Sequence, residues 1–177
     1  MKEVLTKDIV QRGLESIRIS QMIWGTYFIN VRLVEVGRLQ YEYVDVHTIR
    51  IHIPADEKLE VSKVIHSIAC SKDILKRYFE IEEPQYVCDS WLLNPEIHQL
   101  VSKNSNIYQF YELFDVSKGY DCIRDIFDFV YQTKECDYRD LAEKTSLQRS
   151  IKNYLLDGNC IHLGSGILKQ RQIKDFV

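Results

Sequence analysis

The chain contains few glycines and prolines, no long apolar run and no large net charge. Its 7 glycines and 3 prolines are spread over 177 residues, with no low-complexity linker and no internal repeat. The apolar runs are short and interrupted by charges, and the N-terminus lacks the continuous apolar core of a signal peptide. We therefore expect a cytoplasmic protein that does not span a membrane. The formal net charge of −3 gives no long-range attraction for nucleic acid, which we do not expect as a partner.

The sequence also lacks cysteine and histidine pairs with the spacing that metal ligands usually have. The cysteines are five in number and widely separated, and no Cys-x-x-Cys or His-x-x-His pair offers ligand geometry. We expect no metal and interpret the cysteines as reduced thiols that mostly pack in the interior. They are Cys70, Cys88, Cys122, Cys136 and Cys160.

Length and composition fit one globular domain. With 45% hydrophobic and 28% charged residues, a chain of 177 residues can bury a full core. We predict that residues 1–177 form a single domain. Any boundary, near residues 117–119, would separate subdomains rather than independent modules.

The first third of the chain combines helical and strand-like patterns. Apolar residues at helical spacing predict a helix over residues 5–17. Residues 20–36 fit both a helix and a strand, and we favour a helix that ends before Gly37. Alternating apolar and polar residues over 38–54 predict two antiparallel strands with a turn near residues 45–47.

The remaining segments predict a mixed α/β sheet followed by a helical C-terminal part. We expect a helix over 59–79, a strand over 85–93, a helix over 95–101 and an aromatic-rich strand over 106–116. The final third is predicted to contain three helices and a small hairpin. The helices cover residues 120–131, 138–144 and 147–156, the last introduced by Thr145 and Ser146, and the hairpin strands 160–163 and 167–169 are joined by Gly164–Gly166.

Four short segments carry a family resemblance. They are Gly37–Gln40, His52–Pro54, Cys88–Leu93 and Ser105–Ile107. Together they resemble the C-terminal domain of a family of predicted bacterial acyltransferases, whose fold is similar to that of the GNAT acyl-CoA-dependent N-acyltransferases. The resemblance implies an α/β (α+β) fold: a mixed, largely antiparallel sheet flanked by helices, with the helical C-terminal part ending in the small hairpin.

The resemblance also implies a cosubstrate, acyl-CoA or acetyl-CoA, and an acyl transfer to an unknown amine. In GNAT-like folds the pyrophosphate binds at the N-terminus of the helix after the central strand. The central strand is then Thr48–Ile53, and the cofactor loop covers residues 55–62. This loop has no glycine and contains three acidic residues, unlike the usual glycine-rich version. Candidate cofactor-binding residues are Ala55, Lys58, Ser62 and Lys63.

Such a transfer needs a base for the attacking ammonium and a site for the thioester oxygen. His52 lies near the end of its strand, on the face opposite the isoleucines, and is the candidate for proton transfer. Ser90 and Asn106 are candidates for orienting the acyl carbonyl. Each also has a structural interpretation: His52 fixes the loop before Pro54, and the other two hydrogen-bond nearby backbone.

Two other classes of function fit the residues. Members of the resembled family commonly carry a further helical domain before this one, so we expect the chain to be a fragment or to bind a separate helical or other protein partner. An inactive fold kept for protein interaction is therefore an alternative. The order of elements after residue 138, with seven Lys and Arg against four Asp and Glu, also fits a winged helix that binds nucleic acid.

Overall fold

A computed structural model describes residues 33–121 and 123–169 of the protein. The predicted helix over 5–17 and the first part of the one predicted over 20–36 lie outside the described residues. The chain forms two compact units. Among the described residues, the first comprises 33–88 and 168–169, and the second comprises 89–121 and 123–167.

The first unit contains four neighbouring strands in the order β1-β2-β3-β4. They are β1 (Leu33–Val36), β2 (Leu39–Tyr43), β3 (Thr48–His52) and β4 (Gln85–Ser90). The last two residues of β4, Asp89 and Ser90, belong to the second unit. β1 and β3 are each antiparallel to β2, whereas β4 is parallel to β3. The predicted antiparallel pair is confirmed as β2 and β3.

The helix predicted to run up to residue 36 is wrong over its last four residues, which form β1. Val36 pairs with Leu39 around a two-residue turn, in which Gly37 has a φ of 56°. A glycine with positive φ ends many helices and also makes the tight turn of a hairpin. Gly37 therefore fitted both a helix end and a hairpin turn, and the pairing of Leu33–Val36 with β2 shows that it forms the turn.

A long helix, α1 (Val61–Phe79), connects β3 to its parallel neighbour β4. This confirms the helix predicted over 59–79. It packs on the apolar face of the strands, where Tyr41 shares a 2.7 Å hydrogen bond with Ser67 and Tyr86 shares one of 2.7 Å with Ser71. Fully buried side chains in this unit include Leu39, Ile49, Ile51, Val64 and Ile68.

The second unit combines short helices with two strands that are neighbours in the sheet order. Its core is formed by Ile97, Ile126, Phe127, Tyr131, Leu141, Ile151, Leu155, Ile161 and Leu163. Its regular elements are a 3₁₀ turn (Trp91–Leu93), α2 (Pro95–Leu100), α3 (Asn106–Tyr111), β5 (Phe114–Asp121), α4 (Ile123–Asp125) with a π-helical continuation (Ile126–Tyr131), a 3₁₀ turn (Tyr138–Asp140), α5 (Ser146–Leu156) and β6 (His162–Leu168).

The strand predicted over 106–116 is wrong, because residues 106–111 form α3. The Ser105 hydroxyl accepts a 3.1 Å hydrogen bond from the Tyr108 amide and thereby starts the helix. The aromatic residues that suggested a strand instead follow one another around a helical turn, with Phe110 fully buried. The strand begins only at Phe114.

The predicted C-terminal hairpin is also wrong: His162–Leu168 is one continuous strand. Gly164 and Gly166 do not form a turn. A Cβ at Gly164 would overlap the carbonyl oxygen of Leu93, and one at Gly166 would lie 2.7 Å from the Leu93 Cδ1. These glycines allow the 3₁₀ turn to approach β6 closely. The winged-helix interpretation required a two-stranded hairpin over residues 160–169, where the structure has the single strand β6.

The mixed, largely antiparallel α/β class is confirmed. The predicted helical C-terminal part is present as α5, which Thr145 caps as expected. The predicted single domain stays a prediction, and residues 117–119 lie inside β5. Of the helices in residues 33–121 and 123–169, none combines the length and apolarity that crossing a membrane requires.

Candidate phosphate loop and polar strand face

The loop after β3 is shaped by one buried side chain, Arg38. Its Nη2 donates hydrogen bonds to the carbonyl oxygens of Pro54 at 2.7 Å and Glu57 at 2.8 Å, and its Nε donates to that of Lys58 at 3.1 Å. The Arg38 side chain is only 4% exposed. A planar guanidinium presents its donors in a fixed fork and can therefore hold several carbonyls at once.

The acidic residues of this loop are accompanied by cations. Arg38 Nη1 lies 3.7 Å from Asp56 Oδ1, and Lys63 Nζ lies 3.6 Å from Glu57 and 3.8 Å from Glu60. Exposed ion pairs of this kind contribute at most about 1 kcal/mol, so Lys63 can exchange them for another anion at little cost. The loop thus opposes an anion less than its three carboxylates alone indicate.

The helix that follows the loop begins without a side-chain cap. Glu60 occupies the N-cap position with extended backbone, at φ −76° and ψ 123°, and its side chain makes no capping hydrogen bond. The first turn of α1 contains no acidic residue. Because the first amides of a helix have no partner within the helix and carry partial positive charge, this end of α1 suits an anion.

All four predicted cofactor-binding residues lie in this loop or in the first turn of α1, and all four are exposed. The structure therefore brings Ala55, Lys58, Ser62 and Lys63 together in the first unit. His52 is the last residue of β3 and directly precedes the loop. No role of Arg38 was predicted from the sequence, since its partners are carbonyls 16 to 20 positions further along the chain.

Polar residues occupy one face of β1, β2 and β3. The strand register places Glu35 opposite Gln40, Gln40 opposite His52, and Glu42 opposite Arg50. Counted as whole residues, Glu35, Gln40 and Glu42 are all less than 10% exposed, and Gln40 Nε2 donates to Glu35 Oε2 at 2.8 Å. Carboxylates are rarely buried for packing alone, so this face is a candidate site for chemistry.

His52 is anchored on this face by a carboxylate. Its Nε2 lies 2.8 Å from Oε2 of Glu42, and Arg50 Nη1 lies 3.4 Å from the same oxygen. The His52 side chain is 22% exposed and that of Glu42 is 10% exposed. An imidazole held by a carboxylate has a fixed orientation, as a general base requires. Glu42 could have been found from the sequence, because the predicted hairpin places it close to His52.

The other two predicted catalytic residues lie in the second unit. The Ser90 hydroxyl accepts a 3.2 Å hydrogen bond from the Leu92 amide and caps the 3₁₀ turn. Asn106 is the first residue of α3 and directly follows the capping residue Ser105. The Ser90 contact matches the structural interpretation of that residue, and the catalytic roles of Ser90 and Asn106 stay predictions.

A second polar cluster lies within the second unit, around Glu96. Its Oε1 is 2.9 Å from Lys118 Nζ and 3.3 Å from His162 Nδ1. Burial alone would raise the pKa of Glu96, but the hydrogen bond from Lys118, the backbone and the nearby charges outweigh it and lower that pKa. The cluster connects α2 to both β5 and β6.

No disulfide joins the cysteines in the described part of the chain. Cys88 is 1% exposed, in agreement with a packing role, whereas Cys70 and Cys136 are partly buried and Cys160 is exposed. Across residues 33–121 and 123–169, no three His, Cys, Asp or Glu side chains are grouped to hold a metal ion.

The strand, loop, helix and parallel strand of the first unit define a GNAT-like fold. A profile of the family described as "GNAT-like C-terminal domain" matches residues 33–168, and the chain belongs to this family. A search among curated proteins finds no match.

Two solved structures have the same fold. An acyltransferase in complex with decanoyl-CoA is 23% identical, with a TM-score of 0.73 over 82% of this chain and 48% of that one. An acyltransferase in complex with decanoyl-CoA and teicoplanin is 21% identical, with a TM-score of 0.75 over 95% of this chain and 56% of that one. This chain thus spans about half the length of the structures it matches.

Proposed function

We propose that the protein binds acyl-CoA and transfers its acyl group to an amine. The observation that carries this proposal is the uncapped start of α1 directly after a loop whose carbonyls are bound by Arg38. Similar solved structures contain decanoyl-CoA, which supports an acyl-CoA ligand for this fold. Because this chain covers only part of their length, the acceptor and any further helical domain or protein partner belong to the proposal.

The phosphates of CoA bind at the loop and the first turn of α1. Backbone amides there donate to the pyrophosphate oxygens, and the positive end of the helix dipole lowers the energy of the anion. Lys63 leaves its exposed partners and turns to a phosphate, with Lys58 nearby. Ala55 and Ser62 contribute backbone donors, and Ser62 adds a hydroxyl.

The transfer itself forms a bond between the amine nitrogen and the thioester carbon and breaks the bond from that carbon to sulfur. His52 takes the proton that the attacking nitrogen loses, while the CoA thiolate departs and is protonated. Glu42 holds the imidazole in place and balances the positive charge that forms on it. Ser90 and Asn106 stay candidates for orienting the acyl carbonyl.

Thermal unfolding with and without CoA tests the binding step. A ligand at about 100 times its dissociation constant stabilises a protein by about 2.7 kcal/mol, which raises the unfolding midpoint by several degrees. Pantetheine, which lacks the phosphates, should give a much smaller shift. If millimolar CoA, acetyl-CoA and decanoyl-CoA all leave the midpoint unchanged, acyl transfer is excluded and a protein-binding role takes its place.

Substitution of His52 tests the chemical step. His52→Ala should lower turnover of acyl-CoA with an accepted amine by about 10²-fold or more and leave CoA affinity unchanged, because a general base acts in the transition state. His47→Ala removes an exposed histidine from the turn between β2 and β3 and is the matched control. Equal turnover in the two variants would remove His52 from the mechanism.

A further inference from the structure

The loop of the proposed phosphate site lacks the feature that normally lets such a loop bind phosphate. Glycine allows successive backbone amides to approach an anion, yet residues 54–60 contain none. In their place, three carbonyls of this segment converge on one buried guanidinium. We propose that Arg38 is the positioning residue of the phosphate loop and sets the direction of its amides, an inference that rests on the proposed function.

Peptide geometry connects the carbonyls to the amides. A trans peptide unit is planar, with its C=O and N–H pointing in opposite directions, and no cis peptide occurs in the described residues. The carbonyls of Pro54, Glu57 and Lys58 point toward Arg38. The amides of the same peptide units, which belong to Ala55, Lys58 and Leu59, therefore point away from it. Arg38 thus aims three backbone donors away from itself without contacting the ligand.

The charge of Arg38 has a second effect on the loop. Within the part of the chain that the structure describes, its Nη1 is buried and makes no hydrogen bond, although Asp56 Oδ1 lies 3.7 Å away. A guanidinium stays charged at all accessible pH values, and burial leaves its charge weakly screened by water. Arg38 therefore offsets the carboxylates of the loop and reduces their repulsion of an incoming phosphate.

The variant Arg38→Lys distinguishes a positioning role of the Arg38 side chain from an effect of its charge alone. Arg38→Lys keeps the positive charge but loses the planar fork that reaches three carbonyls. We expect it to weaken CoA binding by about tenfold or more in titration calorimetry. Amide hydrogen exchange at residues 55–63 should become faster, while exchange in the middle of α1 should not change. Arg77→Lys, at the other end of α1, is the matched control and should alter neither measurement.

A second variant covers the case in which the lysine variant is poorly folded. Asp56→Asn removes the exposed carboxylate next to the guanidinium and leaves all three carbonyl contacts in place. We expect it to bind CoA about two- to threefold more tightly, because the charge of Arg38 is then less compensated. An unchanged or weaker affinity would contradict the electrostatic part of the inference.

The outcomes separate this inference from the proposed function. If wild-type protein binds CoA and Arg38→Lys binds it within twofold, the inference is wrong and the proposed function stands. If wild-type protein does not bind CoA, the proposed function is wrong and Arg38 positions no phosphate loop. Hydrogen exchange still decides in that case whether Arg38 fixes the loop, and equal exchange at residues 55–63 in both proteins would contradict this.

Discussion

The first backbone amides of a helix have no partners within the helix, and α1 and α5 differ in whether a side chain caps them. At α5, the Thr145 hydroxyl accepts from the Gln148 amide at 3.1 Å, and the Gln148 side chain accepts from the Thr145 amide at 3.2 Å. This capping box satisfies two backbone donors with the helix's own side chains. At α1, Glu60 has the same extended backbone but makes no side-chain cap.

The two helices therefore differ in whether their own side chains satisfy the first backbone donors. The capping box fixes α5 in a unit where Gln148 also donates to the Val130 carbonyl at 3.0 Å. An uncapped helix loses about 1 kcal/mol of that stabilisation. At α1 the missing side-chain cap leaves backbone donors for an external anion. The neighbouring loop is held by hydrogen bonds from Arg38 to its carbonyl oxygens.

Of the changes that test the contrast between the two helices, adding a cap to α1 should have the largest effect. Glu60→Thr places a hydroxyl where it can accept from the Lys63 amide, as Thr145 does at α5. We expect a higher unfolding midpoint and CoA binding weakened by about tenfold, because a donor to a charged phosphate contributes about 1.5 to 3 kcal/mol. The measurements are thermal unfolding and titration calorimetry.

Glu60→Ala is the matched control for this prediction. It removes the same carboxylate but adds no capping oxygen, so it should bind CoA at least as tightly as wild type. Equal CoA affinity in the threonine and alanine variants would show that the first turn of α1 does not bind the phosphates, and the contrast between the two helices would lose its functional meaning.

Removing the cap of α5 should have a smaller effect, on stability alone. Thr145→Ala is expected to lower the free energy of unfolding by about 1 kcal/mol and to leave CoA affinity unchanged. Denaturant unfolding and calorimetry measure the two quantities. Ser146→Ala, one residue further along and exposed, is the control and should change neither. Weaker CoA binding in Thr145→Ala would mean that α5 is not purely structural.

The smallest effect is expected at α2. Asn94 caps the N-terminus of this helix, and Glu96 lies in its first turn. The pKa of Glu96 is lowered in the folded protein, so its contribution to stability is present above the ordinary value of 4.5 and is lost as the pH falls through the folded pKa. Stability measured from pH 7 down to pH 3 should fall less steeply in Glu96→Gln than in wild type. Identical curves would contradict a stabilising role for the Glu96 carboxylate.

Local patterns predicted the parts of the fold that depend on local interactions. The alternation in β2 and β3, the apolar stripe of α1 and the Thr145 cap are each contained in a few consecutive residues, and each was confirmed. The position of His52 on the polar face of β3 followed from the same alternation. Its partner Glu42 needed the register of the hairpin as well.

Where the prediction was wrong, partners outside the apolar pattern of the segment itself decide the structure. Leu33–Val36 becomes a strand because β2 pairs with it, and Gly164 and Gly166 belong to a strand because Leu93 packs closely against them. The aromatic residues after Ser105 fit either a strand or a helix until the Ser105 cap is formed. Arg38 was part of a recognised segment, but its three carbonyl partners cannot be read from residue types.

Those carbonyl partners have a consequence for how the loop can vary. Every amino acid has the same main-chain carbonyl, so Arg38 would hold the segment after Pro54 in nearly the same path whatever side chains occupy Ala55 to Lys58. The backbone path of the loop is then specified by Arg38, which lies 16 to 20 residues before its carbonyl partners, rather than by a local glycine motif. A search for glycine-rich loops would miss this segment, whereas a search for buried arginines facing loop carbonyls would find it.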